Sequence, residues 1–217
     1  MGEKATLVKF GAKHHIRQLQ VEGLLYMSNL PYFWQVEDEE LRGDPNDGVV
    51  AIQRGEGGHA KTVEADPIRF QITRWTIREL PEHPEAINAF CMYAYRPHVA
   101  SPTIDERNLR FGDTALVFIN PQAFVDRVAA HLEREGVLGR ADLVEYVPDD
   151  YAGAVGPFRK LETFSYQSEW RLVCERGPGG PRQIMIGGLS DISTAMPSSE
   201  VGRRVRVGEN GRLIVDL

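Results

Sequence analysis

Gln167 and Glu169 are the residues of this 217-residue chain best equipped by type and spacing for chemistry. They sit in TFSYQSEWRLVCE, Thr163 to Glu175, where Phe164, Tyr166, Trp170, Leu172 and Cys174 share one parity. Gln167, Glu169 and Arg171 share the other, with Val173 closing the row. A strand has a side-chain period of two, so this spacing predicts an apolar face toward a core and an opposite face carrying amide, carboxylate and guanidinium. A carboxylate two residues after a carboxamide can stabilise developing positive charge while the amide orients a partner. An amphipathic edge strand with a solvated polar side has the same pattern, because half-buried strands normally alternate in this way. Arg171 is also placed to pair with Glu169, and a persistent ion pair there would mark the strand as structural.

Few other groups compete for a catalytic role. The six histidines are scattered, and His14 and His15 cannot both face one ion from adjacent helical positions, so no metal site is expected. His15, at a helix start, would line a cleft or be solvated. The chain has no G-x-S-x-G elbow and no Asp/Glu/His cluster suited to a metal-dependent nuclease, and GEGGHAK, 55–61, lacks the spacing of a phosphate-binding loop. Cys91 and Cys174 fall inside apolar runs and are expected to be reduced core thiols. Arg42 opens RGDPNDG, whose Asp-Pro and Asp-Gly steps predict a tight surface turn; presented there, its guanidinium fork would suit a diphosphate. The adjacent Tyr32, Phe33 and Trp34 would pack in the core or stack on a base or nicotinamide ring.

The elements that must position these groups read as follows. Ala5 to Phe10 is a short first strand, Lys13 to Glu22 a helix ended by Gly23, and Leu24 to Met27 a second strand followed by a helical turn with Pro31 in it. Val49 to Gln53, Ile68 to Ile77, Thr114 to Ile119 and Leu143 to Val147 read as strands, and the continuously apolar Ala89 to Tyr95 as a central one. Asn120 caps the clearest helix, with Pro121 first, Phe124, Val125, Val128, Ala129 and Leu132 on one face, and Gly136 as its stop. Gln183 to Ile186 is expected to pair with the Glu169 strand across GPGGP, Leu189 to Met196 to be helical, and Val205 to Val215 to form a hairpin. Strands that do not alternate regularly with helices predict an α+β fold, a mainly antiparallel twisted sheet with three or four helices. No GxGxxG turn follows a strand, which argues against a doubly wound dinucleotide fold.

A 42% hydrophobic content is enough for a sizeable core, so residues 1–217 are expected to form one globular domain. The net charge of −6 gives no general electrostatic footprint for nucleic acid, although Arg69, Arg74 and Arg78, and Arg203, Arg204 and Arg206, form local clusters. MGEKATLVKF lacks an apolar signal core, and no run approaches the ~20 apolar residues of a membrane span, so the expected location is the cytoplasm, with no membrane.

An early strand carrying a basic residue, Lys9 in LVKF, combined with a late strand carrying Gln167-Ser168-Glu169, resembles the ADP-ribosyltransferase superfamily. HHIRQLQVEGLLYMSNLPYF and RGDPNDG also look like a bacterial family of uncharacterised and phage-defence-associated proteins, and the layout is similar to DNA-modifying toxins of the superfamily. The resemblance implies an NAD-consuming enzyme that transfers ADP-ribose to a macromolecular acceptor, nucleic acid or protein, as a toxin or phage-defence effector with an antitoxin partner. Glu169 would be the catalytic carboxylate stabilising an oxocarbenium-like ribose, and Gln167 would contact the acceptor. Tyr93 would stack on nicotinamide, while Lys9 and Arg42 would hold the diphosphate. Where superfamily members with an early Arg carry a Ser-Thr-Ser strand, this chain offers Tyr93 and Tyr95. The alternative of a different class is a non-enzymatic binding or regulatory module that uses the aromatic cluster for a partner.

Overall fold

Asn88–Tyr95 is the strand on which the main sheet is assembled, because its run NAFCMYAY has apolar side chains for both faces. A computed structural model describes residues 6–35, 43–61, 69–95, 104–207 and 213–216. Along one edge of Asn88–Tyr95 runs Glu169–Cys174, antiparallel from Glu169 opposite Tyr93 to Cys174 opposite Asn88, and Gly139–Leu143 lies beyond it. Two strands share the other edge. Leu24–Asn29 pairs only through Ser28 and Asn29, opposite Ala89 and Asn88, whereas Thr6–Gly11 pairs through Thr6, Leu7 and Val8, opposite Tyr95, Ala94 and Tyr93. The sheet therefore forks at residues 90–92. One prong continues from Leu24–Asn29 to Arg182–Met185, the other from Thr6–Gly11 to Thr114–Phe118 and Ser193–Pro197, eight strands in all.

Helix Lys13–Glu22 joins the two prongs and ends where predicted, at Gly23 with φ +70. A Cβ there would stand 2.0 Å from the Gly187 carbonyl oxygen, so glycine is required by conformation and by space alike. Helix Pro121–Arg134 begins as its sequence predicts, the Asn120 side chain accepting from the Ala123 N–H at 3.1 Å. Its Phe124, Val128 and Leu132 meet Ile16 and Leu19 of the first helix and Trp170, Leu172 and Cys174 of the sheet in one buried cluster. On the opposite side, a smaller cluster of Val49, Ile52, Val147, Val155, Leu161 and Phe164 draws on the strand Ala51–Glu56, which pairs with Arg74–Glu79 and Gly153–Ala154, and on the parallel pair Glu145–Val147 and Arg159–Leu161.

This is the expected α+β class with antiparallel pairing in the main sheet. The described residues hold five α-helical segments, of which only Lys13–Glu22 and Pro121–Arg134 exceed six residues. No described helix is long and apolar enough to cross a membrane.

Three local expectations are corrected. Glu162–Gln167 is a 3-10 helix, Ser168 takes a left-handed conformation with φ 38, and the strand starts only at Glu169. The Phe164-Tyr166 parity is therefore not continuous with that of Trp170-Leu172-Cys174. Leu189–Met196 is not helical; Ser193–Pro197 is the outer strand of the longer prong, and Leu189, Ile192 and Met196 are nonetheless all buried. Arg182–Met185 pairs with Leu24–Met27 rather than with the Glu169 strand.

Candidate functional site

Glu169 and Arg171 leave the sheet on the face opposite Trp170 and Leu172, toward the smaller core, and there they meet the turn from residues 43–48. Arg171 is 1% exposed and its guanidinium is saturated. Nε donates to Glu169 Oε1 at 2.8 Å, Nη1 to Asp47 Oδ1 at 2.6 Å and to the Pro157 carbonyl at 2.8 Å, and Nη2 to Asp47 Oδ2 at 3.0 Å, with Glu169 Oε1 also 2.8 Å away. Lys160 closes the figure from the strand Arg159–Leu161. Its Nζ donates to Gln167 Oε1 at 2.8 Å and lies 3.1 Å from Glu169 Oε2 and 3.4 Å from Asp47 Oδ2. Two cations and two carboxylates thus alternate in a buried ring in which the donors of Arg171 and Lys160 all find acceptors, the condition under which buried charge is tolerated.

Electrostatics follow from that closure. Burial pushes the Glu169 carboxyl up, but Arg171 and Lys160, together with a hydrogen bond from the Cys91 thiol, outweigh it and hold the group at about 2. Burial would lower Lys160 and Arg171, yet Glu169 and Asp47 raise both, so the two cations keep their protons. Cys91 is pushed up to about 12 by burial and by Glu169, which makes it a donor and no nucleophile. Tyr146, raised first by burial and then by Glu169, accepts from the Glu169 N–H at 2.9 Å.

Asp44 stands just behind. It is 1% exposed, its Oδ1 accepts from the Asn46 N–H at 2.8 Å, and its Oδ2 has no partner among the described residues. Burial, and then the charge on Asp47, raise it to about 6. The turn is tied onward to the helix Leu30–Gln35, since the Asp44 N–H donates to the Phe33 carbonyl at 3.2 Å and Trp34 Nε1 to the Asp47 carbonyl at 2.7 Å. Gly48, with φ +67, lets the chain pass against Leu30.

Two cavities open beside the ring. A chamber of about 100 Å³ is lined by Gln167, Glu169, Lys160 and Arg171 on one side and by Lys9 and Tyr93 on another. A cleft of about 820 Å³ lies in the fork between Thr6–Gly11 and Leu24–Asn29, with His15, Tyr26 and Tyr32 on its walls. Lys9, Phe10, Phe33, Cys91 and Phe111 line both. Lys9 Nζ donates to the Cys91 carbonyl at 2.7 Å and sits 4.5 Å from the centre of the Phe90 ring, and Tyr93 packs edge-on against Phe10.

Of the residues singled out in the sequence, Glu169, Gln167, Lys9 and Tyr93 come together in the chamber, although Gln167 arrives from the 3-10 helix and not from the strand. His15 is an exposed residue on the wall of the cleft, away from the chamber. Arg42 lies outside the described residues. The turn that follows it is only partly at the surface: Pro45 is exposed and Asn46 half-buried, but Asp44 and Asp47 are buried, Asp47 paired with Arg171 and Lys160. Sequence reasoning missed Asp44, Asp47, Lys160, Tyr146 and Asn108, the last of which lines the chamber and donates to the Tyr166 carbonyl at 2.7 Å. A usable signal existed for Lys160 alone: a single lysine among Phe158, Leu161 and Phe164 needs a buried partner. Among the described residues no group of His, Cys, Asp and Glu is arranged to hold a metal ion.

No protein-family model, curated protein or solved structure matches the chain.

Proposed function

We propose that the chain is a small-molecule-binding module whose ligand lies in the forked cleft, one end stacked among its aromatic walls and the other reaching the chamber beside Glu169. The observation that carries this is the juxtaposition of a cleft of about 820 Å³ with a chamber that shares Lys9, Phe10, Phe33, Cys91 and Phe111 with it. Cavities of this size, mostly apolar with a few convergent polar groups, are the usual form of a ligand site. The saturated ring supports recognition over bond-making, because a carboxylate already holding Arg171 and Lys160 has little potential left for a developing cation.

A second reading, favoured by the meeting of Lys9, Tyr93, Gln167 and Glu169 in one chamber, is an NAD-consuming ADP-ribosyltransferase-like enzyme. In it Glu169 stabilises the ribosyl cation, Gln167 addresses a nucleic-acid or protein acceptor, and the cell uses the chain as a toxin or phage-defence effector held by an antitoxin. Calorimetry with NAD, run beside an assay of nicotinamide release and of labelled ADP-ribose transfer onto protein, DNA and RNA, separates the two. Binding without release or transfer supports the module; release above the uncatalysed background supports the enzyme. Absence of heat with NAD and with nicotinamide, adenine and indole as small aromatic probes would remove the cleft from consideration.

A further inference from the structure

The main sheet has three ends, two of which carry proline. Arg182–Met185 follows Pro181 directly, and Ser193–Pro197 closes on a residue that has no N–H to give a further strand. Gly139–Leu143, the end beyond Glu169–Cys174, has neither proline nor bulge. Its pairing runs without a break from Leu143 opposite Trp170 to Gly139 opposite Cys174, and Gly139, Arg140, Ala141 and Asp142 are all exposed. Among the described residues no strand pairs its outer side.

The bonds at both limits of this strand fix which of its backbone groups face outward. The Val144 N–H donates to the Glu169 carbonyl at 2.9 Å, and the Glu175 N–H donates to the Leu138 carbonyl at 3.0 Å. Leu138 and Val144 therefore turn toward Glu169–Cys174, and at a period of two so do Arg140 and Asp142. Gly139, Ala141 and Leu143 turn their N–H and C=O groups the other way. The Leu143 N–H accords with this, since its acceptor is the Asp142 side chain, Oδ1 at 2.8 Å, rather than the neighbouring strand. Arg140 and Asp142 flank Ala141 with opposite charges. Arg140 lies over the Phe158 ring, 4.5 Å from its centre, and neither Arg140 nor Asp142 makes an ion pair among the described residues.

A strand that reads Gly-Arg-Ala-Asp-Leu is complementary to itself when run antiparallel about its middle residue. Ala141 then exchanges both outward backbone hydrogen bonds with Ala141 of a second copy. On either side Arg140 stands opposite Asp142 of the other copy, in the closer, non-hydrogen-bonded type of pair, and Gly139 stands opposite Leu143. The other two ends lack this property, because Arg182–Met185 carries a cation and no carboxylate, and Ser193–Pro197 carries no charge. A closed two-fold contact uses the same patch on both partners, and this arrangement supplies such a patch. We propose that the chain forms a two-fold dimer in which Gly139–Leu143 of two copies pair antiparallel about Ala141 and join their main sheets into one. The inference is independent of what the cleft binds.

The test is sedimentation equilibrium of the full chain over a dilution series, where a dimer dissociation constant on the order of 10 μM suits an interface this small. Ala141→Pro removes an outward N–H and none that serves the ladder with Glu169–Cys174, so it should give a monomer with an unchanged circular dichroism spectrum. Arg140→Asp and Asp142→Arg should each weaken dimerisation at least roughly 10-fold, because each replaces two opposite-charge pairs across the axis by two like-charge pairs. An equimolar mixture of those two variants should dimerise again, since only the mixed pair sets opposite charges face to face on both sides of the axis. Where the proline variant fails to fold, the mixture decides. A chain that is still monomeric at about 1 mM overturns the proposal. So does a dimer undiminished by either charge variant, and so do charge variants that stay apart when mixed.

Discussion

Arg171 shows how a residue that looks reactive in the sequence becomes structural once its partners are known. Each of its five N–H groups has an acceptor, and those acceptors come from the strand itself, from the 43–48 turn and from the Pro157 carbonyl. Arg171→Met leaves Asp47 and Glu169 buried with Lys160 as their one cation, and should cost about 3–5 kcal/mol in urea unfolding. Glu169→Gln should also destabilise, since it unbalances the same ring, so loss of activity in that variant means little unless its folding is measured beside it. Asp44 behaves in the opposite sense. Its folded pKa of about 6 lies above the ordinary 3.8, so its contribution to stability is fully present below 3.8 and is lost as pH rises through about 6. Asp44→Asn removes that loss, and its advantage over the parent chain should grow between about pH 4 and pH 7 to on the order of 3 kcal/mol. A difference independent of pH would show that the buried carboxylate ionises without penalty. Glu169 titrates the other way: its contribution is present above 4.5 and drains as pH falls through about 2.

At the scale of elements, local signals were read where local physics decides. The helix Pro121–Arg134 was legible because cap, proline, periodic apolar face and glycine stop all agree, and Gly23 was legible because only glycine takes that left-handed cap readily. Gly23→Ala should therefore cost more than the roughly 1 kcal/mol of an ordinary left-handed alanine, because its Cβ collides with the Gly187 carbonyl; thermal unfolding of the variant measures this. Ser193–Pro197 was misread because Leu189, Ile192 and Met196 are spaced as on a helix face, yet they are buried by packing beside Thr114–Phe118, a partner some 80 residues distant that no local window contains. The Glu169 strand was half legible. Its Trp170-Leu172-Cys174 parity holds, but the left-handed Ser168 resets the chain before it, and a serine gives no warning of that. Most of the site was not legible, since Asp47 reaches Arg171 from 124 residues upstream and Lys160 reaches Glu169 from a separate parallel strand pair.

Across the whole molecule, the charge ring couples the sheet to the cleft. Arg171 and Lys160 hold Asp47, the Asp47 carbonyl holds Trp34, and the Asp44 N–H holds the Phe33 carbonyl, so the helix Leu30–Gln35 is fastened to the sheet through the turn. That helix carries Tyr32 and Phe33 on the wall of the cleft. Loosening the ring should therefore be felt by a ligand that never touches it. Asp47→Asn removes one of the two carboxylates that balance Lys160 and Arg171, and it should raise amide hydrogen exchange in residues 30–35 well before global unfolding. It should also weaken cleft probes in proportion to the fraction of molecules with the wall displaced, because apparent affinity falls with the population of the competent state. Asp44→Asn relieves repulsion at the same turn and should move both readouts the other way at pH 7. The informative comparison is between variants: exchange in residues 30–35 and probe affinity must change together across the parent chain, Asp47→Asn and Asp44→Asn. An Asp47→Asn chain that is less stable overall but keeps slow exchange in that helix and undiminished probe binding would show that the ring stabilises the fold without positioning the cleft.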